Sequence, residues 1–189
     1  ESGGQVGDTG KLTKQEIEFT VTDTQYIGKA IAHHGQANGT LKVGDTLAAH
    51  VDVERREAIK RNHTSTHLLH AALRNVLGEH VVQKGSLVTA ERLRFDFSHY
   101  EAVTPQQLDL IERQINAEII KNIPVVANVM PIEQAQAAGA IALFGEKYDN
   151  DVRVLTIGNY SMELCGCTHV NRTGDIGLVR IVAESGIAS

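Results

Sequence analysis

Two short motifs combine the residue types and the spacing of a metal site. His63 and His67 stand four positions apart, and on a helix residues with this spacing share a face, with Cβ atoms about 5–6 Å apart. Cys165 and His169 repeat the spacing in a later segment that contains glycine. Thiolate and imidazole ligands suit Zn²⁺, which binds them tetrahedrally at about 2.3 Å and about 2.0 Å. We therefore predict that His63, His67, Cys165 and His169 converge on one zinc ion.

Either motif alone is a weak signal that favours an ordinary structural role over a metal, because pairs of histidines also occur on helix surfaces. The two motifs together favour a metal. His70 follows on the same helix, and its position predicts a place at the edge of the core or in contact with solvent. The other histidines are predicted to lie on the surface, in loops or at strand ends: His33, His34, His50, His80 and His99.

The helix that must carry the first motif is predicted from Glu54 to Leu77, a stretch without glycine or proline. Asp52 has the side chain of an N-cap, and Gly78 suits the position after the C-terminus. Basic residues recur along this helix and predict a local positive surface: Arg55, Arg56, Lys60, Arg61 and Arg74.

A second helix is predicted after Thr104, because Pro105 suits its first turn and Gln107 completes a capping box. Its predicted buried face consists of Leu108, Ile111, Ile115 and Ile119. Alternating apolar and polar residues predict a strand at Arg92–Phe97. Other predicted elements are strands at Val125–Met130, Val152–Ile157 and Ile176–Val182, and a short helix at Ile132–Ala138 that Gly139 ends.

Residues 1–53 show short apolar alternations separated by turn signals, which predict several strands in a small barrel or sandwich. The turn signals are Asp23, His33–Gly35, Asn38–Gly39 and Gly44–Asp45. The glycine-rich opening lacks the spacing and the strand–helix context of a dinucleotide-binding fingerprint. Residues 55–189 mix helices and strands, so we predict an α+β fold class.

Composition excludes several classes of protein. The 189 residues are 42% apolar and 22% charged, as in folded domains rather than disordered chains. Apolar runs are too short to span a membrane, and no signal peptide is recognised. The net charge of −5 argues against general nucleic-acid binding. The two cysteines are too close together for a disulfide framework and predict a reducing compartment. The start at Glu1 predicts a piece cut from a longer protein.

Several longer segments resemble the editing domain of bacterial alanyl-tRNA synthetase and, before it, that family's small β-barrel. The resemblance covers essentially the whole chain and extends to free-standing AlaX-type editing proteins and, more distantly, to the editing domain of threonyl-tRNA synthetase. It is carried by Glu1–Asp8, Arg61–His70, Gln83–Val88, Leu93–Ser98, Leu143–Tyr148 and Glu163–Gly166.

The resemblance implies a small β-barrel at residues 1–53 and, at residues 54–189, an α+β editing domain whose antiparallel sheet is packed by helices. It implies hydrolysis of the ester that joins serine or glycine to tRNA(Ala), with alanyl-tRNA(Ala) spared, in a cytoplasmic synthetase that uses ATP to ligate alanine. Its metal ligands fall on the four residues named above, and Thr66 and Gln83 match positions of the amino-acid pocket. Its partners are the tRNA(Ala) acceptor end and the rest of the synthetase, with no membrane.

Within this interpretation, the zinc ion either activates the attacking water or positions the substrate, since four protein ligands close a tetrahedral site. Backbone amides between Gly166 and His169 are candidate oxyanion donors. Cys167 departs from the family, which usually has glycine there; its thiol could compete for the metal, oxidise with Cys165 or crowd the loop. Other interpretations are a free-standing deacylase, a structural zinc module that binds RNA without catalysis, and a thiol redox protein.

Overall fold

The computed structural model describes residues 4–142 and 148–186. Their helices pack with antiparallel sheets, which confirms the α+β class. Of the family-like segments, most of Leu143–Tyr148 and the first three residues of Glu1–Asp8 lie outside the described residues. No helix within the described ranges combines the length and the apolar character needed to cross a bilayer.

Nine strands, three α-helices and one 3₁₀ helix are found in the described ranges. The strands are β1 (Gly10–Lys14), β2 (Ile17–Ile27), β3 (Ala30–Ala37), β4 (Ala48–Val51), β5 (Gln83–Val88), β6 (Leu93–Phe97), β7 (Val125–Pro131), β8 (Asp151–Ile157) and β9 (Ser161–Leu164). The helices are α1 (Val53–Leu77), α2 (Pro105–Ile120), α3 (Ile132–Ala137) and the 3₁₀ helix Thr173–Ile176.

The first four strands form one antiparallel sheet in the order β3-β2-β1-β4. The turn between β2 and β3 lies at Gly28, whose φ of 63° favours glycine. The turns predicted at Asp23 and His33–Gly35 are wrong, because Asp23 lies beside a bulge inside β2 and the second segment lies inside β3. This position of β3 requires glycine, because a Cβ at Gly35 would be 1.9 Å from the carbonyl oxygen of Thr20. Closure of this sheet into a barrel stays a prediction.

Helix α1 begins and ends where its caps predicted. The Asp52 carboxylate accepts a hydrogen bond from the amide of Arg55 at 3.0 Å, and Gly78 follows the last turn. Helix α2 has the predicted capping box, in which Thr104 and Gln107 bond each other's backbone amides. The two helices share the main core, whose fully buried members include Leu68, Ile111 and Ile115.

Strands β5 and β6 form a hairpin that contributes to the core beside α1. Phe95 and Phe97 project from the same face of β6 and pack on the core, and Phe95 contacts the ring of His70 with centroids 5.3 Å apart. A bulge between Gln83 and Gly85 shifts the register, so that Gln83 pairs with Phe97 while Ser86 pairs with Phe95. Directly paired residues share a face, so the bulge puts both polar side chains on the face that carries the two phenylalanines.

The third sheet has the order β7-β8-β9, and Cys165 follows directly after β9. The strand predicted at Ile176–Val182 is wrong. The backbone groups of this segment bond side chains of α2 rather than a neighbouring strand. Asn116 bonds both the amide and the carbonyl of Val179. Glu112 accepts from the amide of Ile181 at 2.7 Å. Apolar alternation therefore reflects packing on a helix here, not pairing in a sheet.

Replacing Asp52 by alanine should lower the free energy of unfolding by about 1 kcal/mol, because the amide of Arg55 loses its acceptor at the start of α1. Asp52→Asn keeps a side-chain oxygen there and should stay close to the wild type. Urea denaturation of the three proteins measures the difference. Equal stability of the alanine and asparagine variants would show that this cap contributes nothing.

Candidate metal centre

The four residues predicted as metal ligands meet in the interior. One ligand atom from each of His63, His67, Cys165 and His169 lies within 4.8 Å of the others; the first three residues are buried and His169 is partly buried. Helix α1 supplies the first two, and the loop after β9 supplies the other two. The convergence predicted from the two spacings is therefore observed in the described chain, and the ligand role of these residues is a proposal.

The loop motif directs its thiol at the imidazoles. The sulfur of Cys165 lies 3.2 Å from Nε2 of His169 and 3.6 Å from Nε2 of His63. Nε2 of His67 is buried and has no hydrogen-bond partner among the described residues. An unpaired buried nitrogen beside a thiol and two further imidazoles is the donor set that Zn²⁺ prefers, so the residues present fit this ion.

Each of these imidazoles is held at its other nitrogen by an acceptor. Nδ1 of His63 lies 2.6 Å from the amide oxygen of Gln5, which comes from the segment before β1. Nδ1 of His67 lies 2.6 Å from the carboxylate of Glu163. Because these oxygens only accept hydrogen bonds, the proton of each ring is on Nδ1 and the lone pair is on Nε2.

The third imidazole, that of His169, is oriented by the hydroxyl group of Thr64. Thr64 donates its hydroxyl proton to the carbonyl of Lys60 at 2.9 Å. Its oxygen then accepts from the amide of Val170 and lies 3.3 Å from Nδ1 of His169. With its own proton committed to the helix backbone, this hydroxyl accepts from His169 and leaves Nε2 of that ring with its lone pair.

Burial favours the neutral rings of His63 and His169. Burial lowers the pKa of His63, and it lowers the pKa of His169 well below its usual value, with the neighbouring His67 adding to that shift. A hydrogen bond with Cys167, together with burial, raises the pKa of the Cys165 thiol. These two imidazoles are therefore ready to bind a cation, while the thiol must lose its proton to bind one.

Arg153 holds the backbone of the loop that carries Cys165 and His169. Arg153 donates to the carbonyl oxygens of Cys165 at 2.9 Å and Cys167 at 2.8 Å. Cys167 is buried, and neither Cys165 nor Cys167 forms a disulfide within the described residues. The amides of Gly166, Thr168 and His169 have no acceptor within the described chain. The loop therefore offers unpaired N–H groups beside the donor cluster.

The sequence analysis did not predict Glu163 and His70 as parts of this site. Glu163 in β9 is 2% exposed, and its second oxygen lies 2.8 Å from Nδ1 of His70. Burial raises the pKa of Glu163, but the neighbouring imidazole of His67 and the hydrogen bonds from both histidines outweigh it and lower the value to about 2. The prediction for His70 is wrong in one respect, since it contacts no solvent and is buried with a carboxylate. The i, i+3 spacing of His67 and His70 was the available signal.

The two predicted pocket residues take different positions. Thr66 is buried in α1, and its hydroxyl donates to the carbonyl of Asn62 at 3.0 Å. Gln83 lies at the start of β5, and its side chain has no hydrogen bond within the described residues. Ser86 on the same face has a buried hydroxyl that also lacks a partner there. The face of the hairpin that carries Phe95 therefore presents polar groups available to a ligand.

The basic residues of α1 do not form one surface. Arg55 donates to the carbonyl of Gly7 at 2.7 Å, and Arg56 forms an ion pair with Asp8. Arg74 donates to the carbonyls of Glu79 and Val81 after the end of the helix. At about 1.5 Å per residue, Arg55 and Arg74 are about 28 Å apart along the axis. Most of these basic side chains therefore bond neighbouring segments of the same chain instead of forming a continuous positive surface.

Comparison with known families agrees with this geometry. Residues 152–189 match the family described as the threonyl and alanyl tRNA synthetase second additional domain, and residues 1–55 match class II (A) tRNA synthetases. The alanine–tRNA ligase of Idiomarina loihiensis is 62% identical over 189 residues, which are 100% of this chain and 22% of that protein. Over its whole length, the chain is therefore similar to one segment of alanine–tRNA ligases.

Other alanine–tRNA ligases show the same extent of similarity. The ligase of Pseudoalteromonas translucida is 61% identical and that of Legionella pneumophila is 58% identical, each over 100% of this chain. The chain spans 22% of the length of these relatives. The first family match contains Cys165 and His169, whereas His63 and His67 lie between the two matched ranges. The similarity to alanine–tRNA ligases extends over the whole chain and therefore includes both motifs of the donor cluster.

Replacing Cys167 by glycine should leave zinc bound, whereas Cys165→Ala should remove most of it. The sulfur of Cys165 lies within 4.8 Å of the donor nitrogens of all three histidines. Metal analysis after dialysis measures zinc per chain, with urea denaturation as the control for folding. Loss of zinc from the Cys167 variant and its retention by the Cys165 variant would show that Cys167 is the thiolate ligand.

Proposed function

We propose that this chain is the proofreading part of an alanyl-tRNA synthetase. It hydrolyses the ester of seryl- or glycyl-tRNA(Ala) and spares alanyl-tRNA(Ala). The observation that supports this most is the buried convergence of three imidazoles and one thiol directly beside a loop with unpaired amides. The family and its alanine–tRNA ligase members supply the nature of the tRNA. In the same proposal, residues 1–53 form a barrel and residues 54–189 the editing domain.

His63, His67, Cys165 and His169 hold a zinc ion in this proposal. When bound, zinc supplies positive charge that polarises an oxygen of the substrate or its attacking water. The chain itself keeps the three imidazoles oriented through Gln5, Glu163 and Thr64. The interior position of the cluster limits the access of bulk water, which strengthens every charge interaction there.

Hydrolysis of an ester needs stabilisation of the oxyanion that develops on the carbonyl. The amides of Gly166, Thr168 and His169 are free to donate to it, because they bond no other group in the described chain. Arg153 fixes the two carbonyl groups of the same loop, at Cys165 and Cys167. The donors are thereby held in place before the substrate arrives.

Selectivity requires that serine is accepted and alanine is rejected. A site built to bond a hydroxyl can discriminate against an analogue without one by roughly 10⁴-fold or more. Thr66 commits its own proton to Asn62 and can only accept from a substrate hydroxyl. Gln83 can donate or accept, and the bulge in β5 turns it to the same face as Phe95, towards α1. These two residues are the proposed hydroxyl partners.

The tRNA acceptor end reaches this site from a longer synthetase, which we propose acts in the cytoplasm and uses ATP to charge tRNA(Ala) with alanine. Within the described residues, the guanidinium of Arg61, in the middle of α1, has no ion pair or hydrogen bond. It is partly exposed two residues before His63 and is a candidate phosphate contact. Other parts of the synthetase supply most of the affinity for tRNA.

A second candidate function is a structural zinc module that contacts tRNA without catalysis. The observation that favours it is the completeness of the ligand set, since four protein ligands close a tetrahedral site and closed sites are usually structural. The two functions differ in one measurement, because a structural module would bind zinc and leave the ester intact.

The chain loaded with zinc should hydrolyse seryl-tRNA(Ala) at a rate roughly 10⁴-fold above that for alanyl-tRNA(Ala). Chelation of zinc should abolish the activity, and zinc addition should restore it. Release of labelled serine, glycine and alanine from the three charged tRNAs measures the rates. A chain that binds zinc but releases no amino acid is a structural module, and equal release of serine and alanine indicates a general esterase.

Replacing Gln83 by alanine should reduce the clearance of seryl-tRNA(Ala), because the pocket loses a partner for the serine hydroxyl. Glycyl-tRNA(Ala) lacks that hydroxyl, and its clearance should change little. Gln106→Ala is the matched control, since Gln106 is an exposed glutamine in the first turn of α2. Circular dichroism verifies the fold. If Gln83→Ala and Gln106→Ala clear seryl-tRNA equally fast, Gln83 is outside the pocket.

A further inference from the structure

One buried carboxylate connects the donor cluster to a histidine outside it. Glu163 projects from β9 between two residues of α1, with one oxygen 2.6 Å from Nδ1 of His67 and the other 2.8 Å from Nδ1 of His70. Each of the three residues is 2–3% exposed. Strand β9 and helix α1 are thus joined at the metal centre by two hydrogen bonds to one side chain.

The chemistry of these groups assigns their protons. A carboxylate accepts hydrogen bonds and donates none, so both rings donate from Nδ1. The unpaired atoms confirm the orientation, because Nε2 of His67 and Nε2 of His70 both lack a partner in the described residues. For His67, that lone pair belongs to the donor cluster. His70, whose ring contacts Phe95, is not a member of the donor cluster.

We infer that Glu163 and His70 are positioning residues of the metal centre, with Glu163 fixing the proton of His67 on Nδ1 and His70 fixing the second oxygen of Glu163. The inference rests on the proposed zinc site. A carboxylate held at one oxygen can rotate about its last bond, whereas one held at both oxygens keeps its plane. His70 thereby restricts the ring of His67 through Glu163, although it touches neither the metal ligands nor the substrate.

A glutamine at position 163 has nearly the same shape but a different bonding capacity. Its oxygen can accept from one ring, while its NH₂ group faces the other ring and requires an acceptor there. One of the two histidines must then move its proton to Nε2. If His67 moves it, the nitrogen that faces the cluster can no longer bind a metal, so zinc affinity falls without loss of volume.

Zinc affinity of the full chain, measured by competition with a chromogenic chelator, tests the inference. Glu163→Gln should raise the Kd for zinc about 10- to 100-fold. His70→Phe keeps a ring against Phe95 and should raise the Kd by a smaller factor, because the bond between His67 and Glu163 persists. The matched control is Glu118→Gln, which changes a buried carboxylate of α2 that pairs with Lys121. Its Kd should equal that of the wild type.

Folded Glu163→Gln protein with a Kd within twofold of the control would overturn the role of Glu163, and the same result for His70→Phe would overturn that of His70. If a variant does not fold, nitrogen-15 NMR of the metal-free wild-type chain decides. The spectrum should show the proton on Nδ1 in both His67 and His70, and a proton on Nε2 of His67 contradicts the inference. A wild-type chain that binds no zinc contradicts the proposed function, while the NMR result still tests the positioning.

Discussion

The metal centre depends on one constraint, which is that every buried imidazole nitrogen bearing a proton must face an acceptor. A buried donor without a partner costs about 1–3 kcal/mol, so the acceptors determine the tautomers rather than merely accompany them. Gln5, Glu163 and Thr64 satisfy Nδ1 of the three rings, and the lone pairs on Nε2 then point to the sulfur of Cys165 or remain unpaired. The arrangement of the surrounding chain follows from the need to bring these acceptors together.

This constraint explains the unusual middle of α1. Residues 63–68 are buried on all sides of the helix, although most of them are polar. The hydroxyls of Thr64, Ser65 and Thr66 each donate to the carbonyl four residues earlier, which pairs them without any group from another element. Side chains that pair within their own helix can be buried at low cost, and their oxygens keep lone pairs for other donors. A surface helix with one apolar stripe could not surround a metal centre in this way.

Local signals predicted much of the fold. The N-cap Asp52, the capping box at Thr104 and the repeated spacing of the two histidine motifs each depend on residues close in sequence, and each agrees with the structure. Interactions between distant residues were not accessible in the same way. The acceptor Gln5 precedes the first strand, and the bulge that turns Gln83 inward has no marker in the composition of β5. The apolar alternation at Ile176–Val182 gave a wrong strand because the side chains of α2 satisfy that backbone.

The bonds of the donor cluster join residues that are 58, 96 and 102 positions apart in the chain. The entropy lost in closing such loops grows only slowly with their length, but it is lost before any of the contacts forms. Contacts of this kind slow folding relative to those within a helix. During synthesis, α1 can form as soon as it leaves the ribosome, whereas the cluster must wait for β9 and its loop. The centre can therefore assemble only after α1 has met both the segment before β1 and the loop after β9.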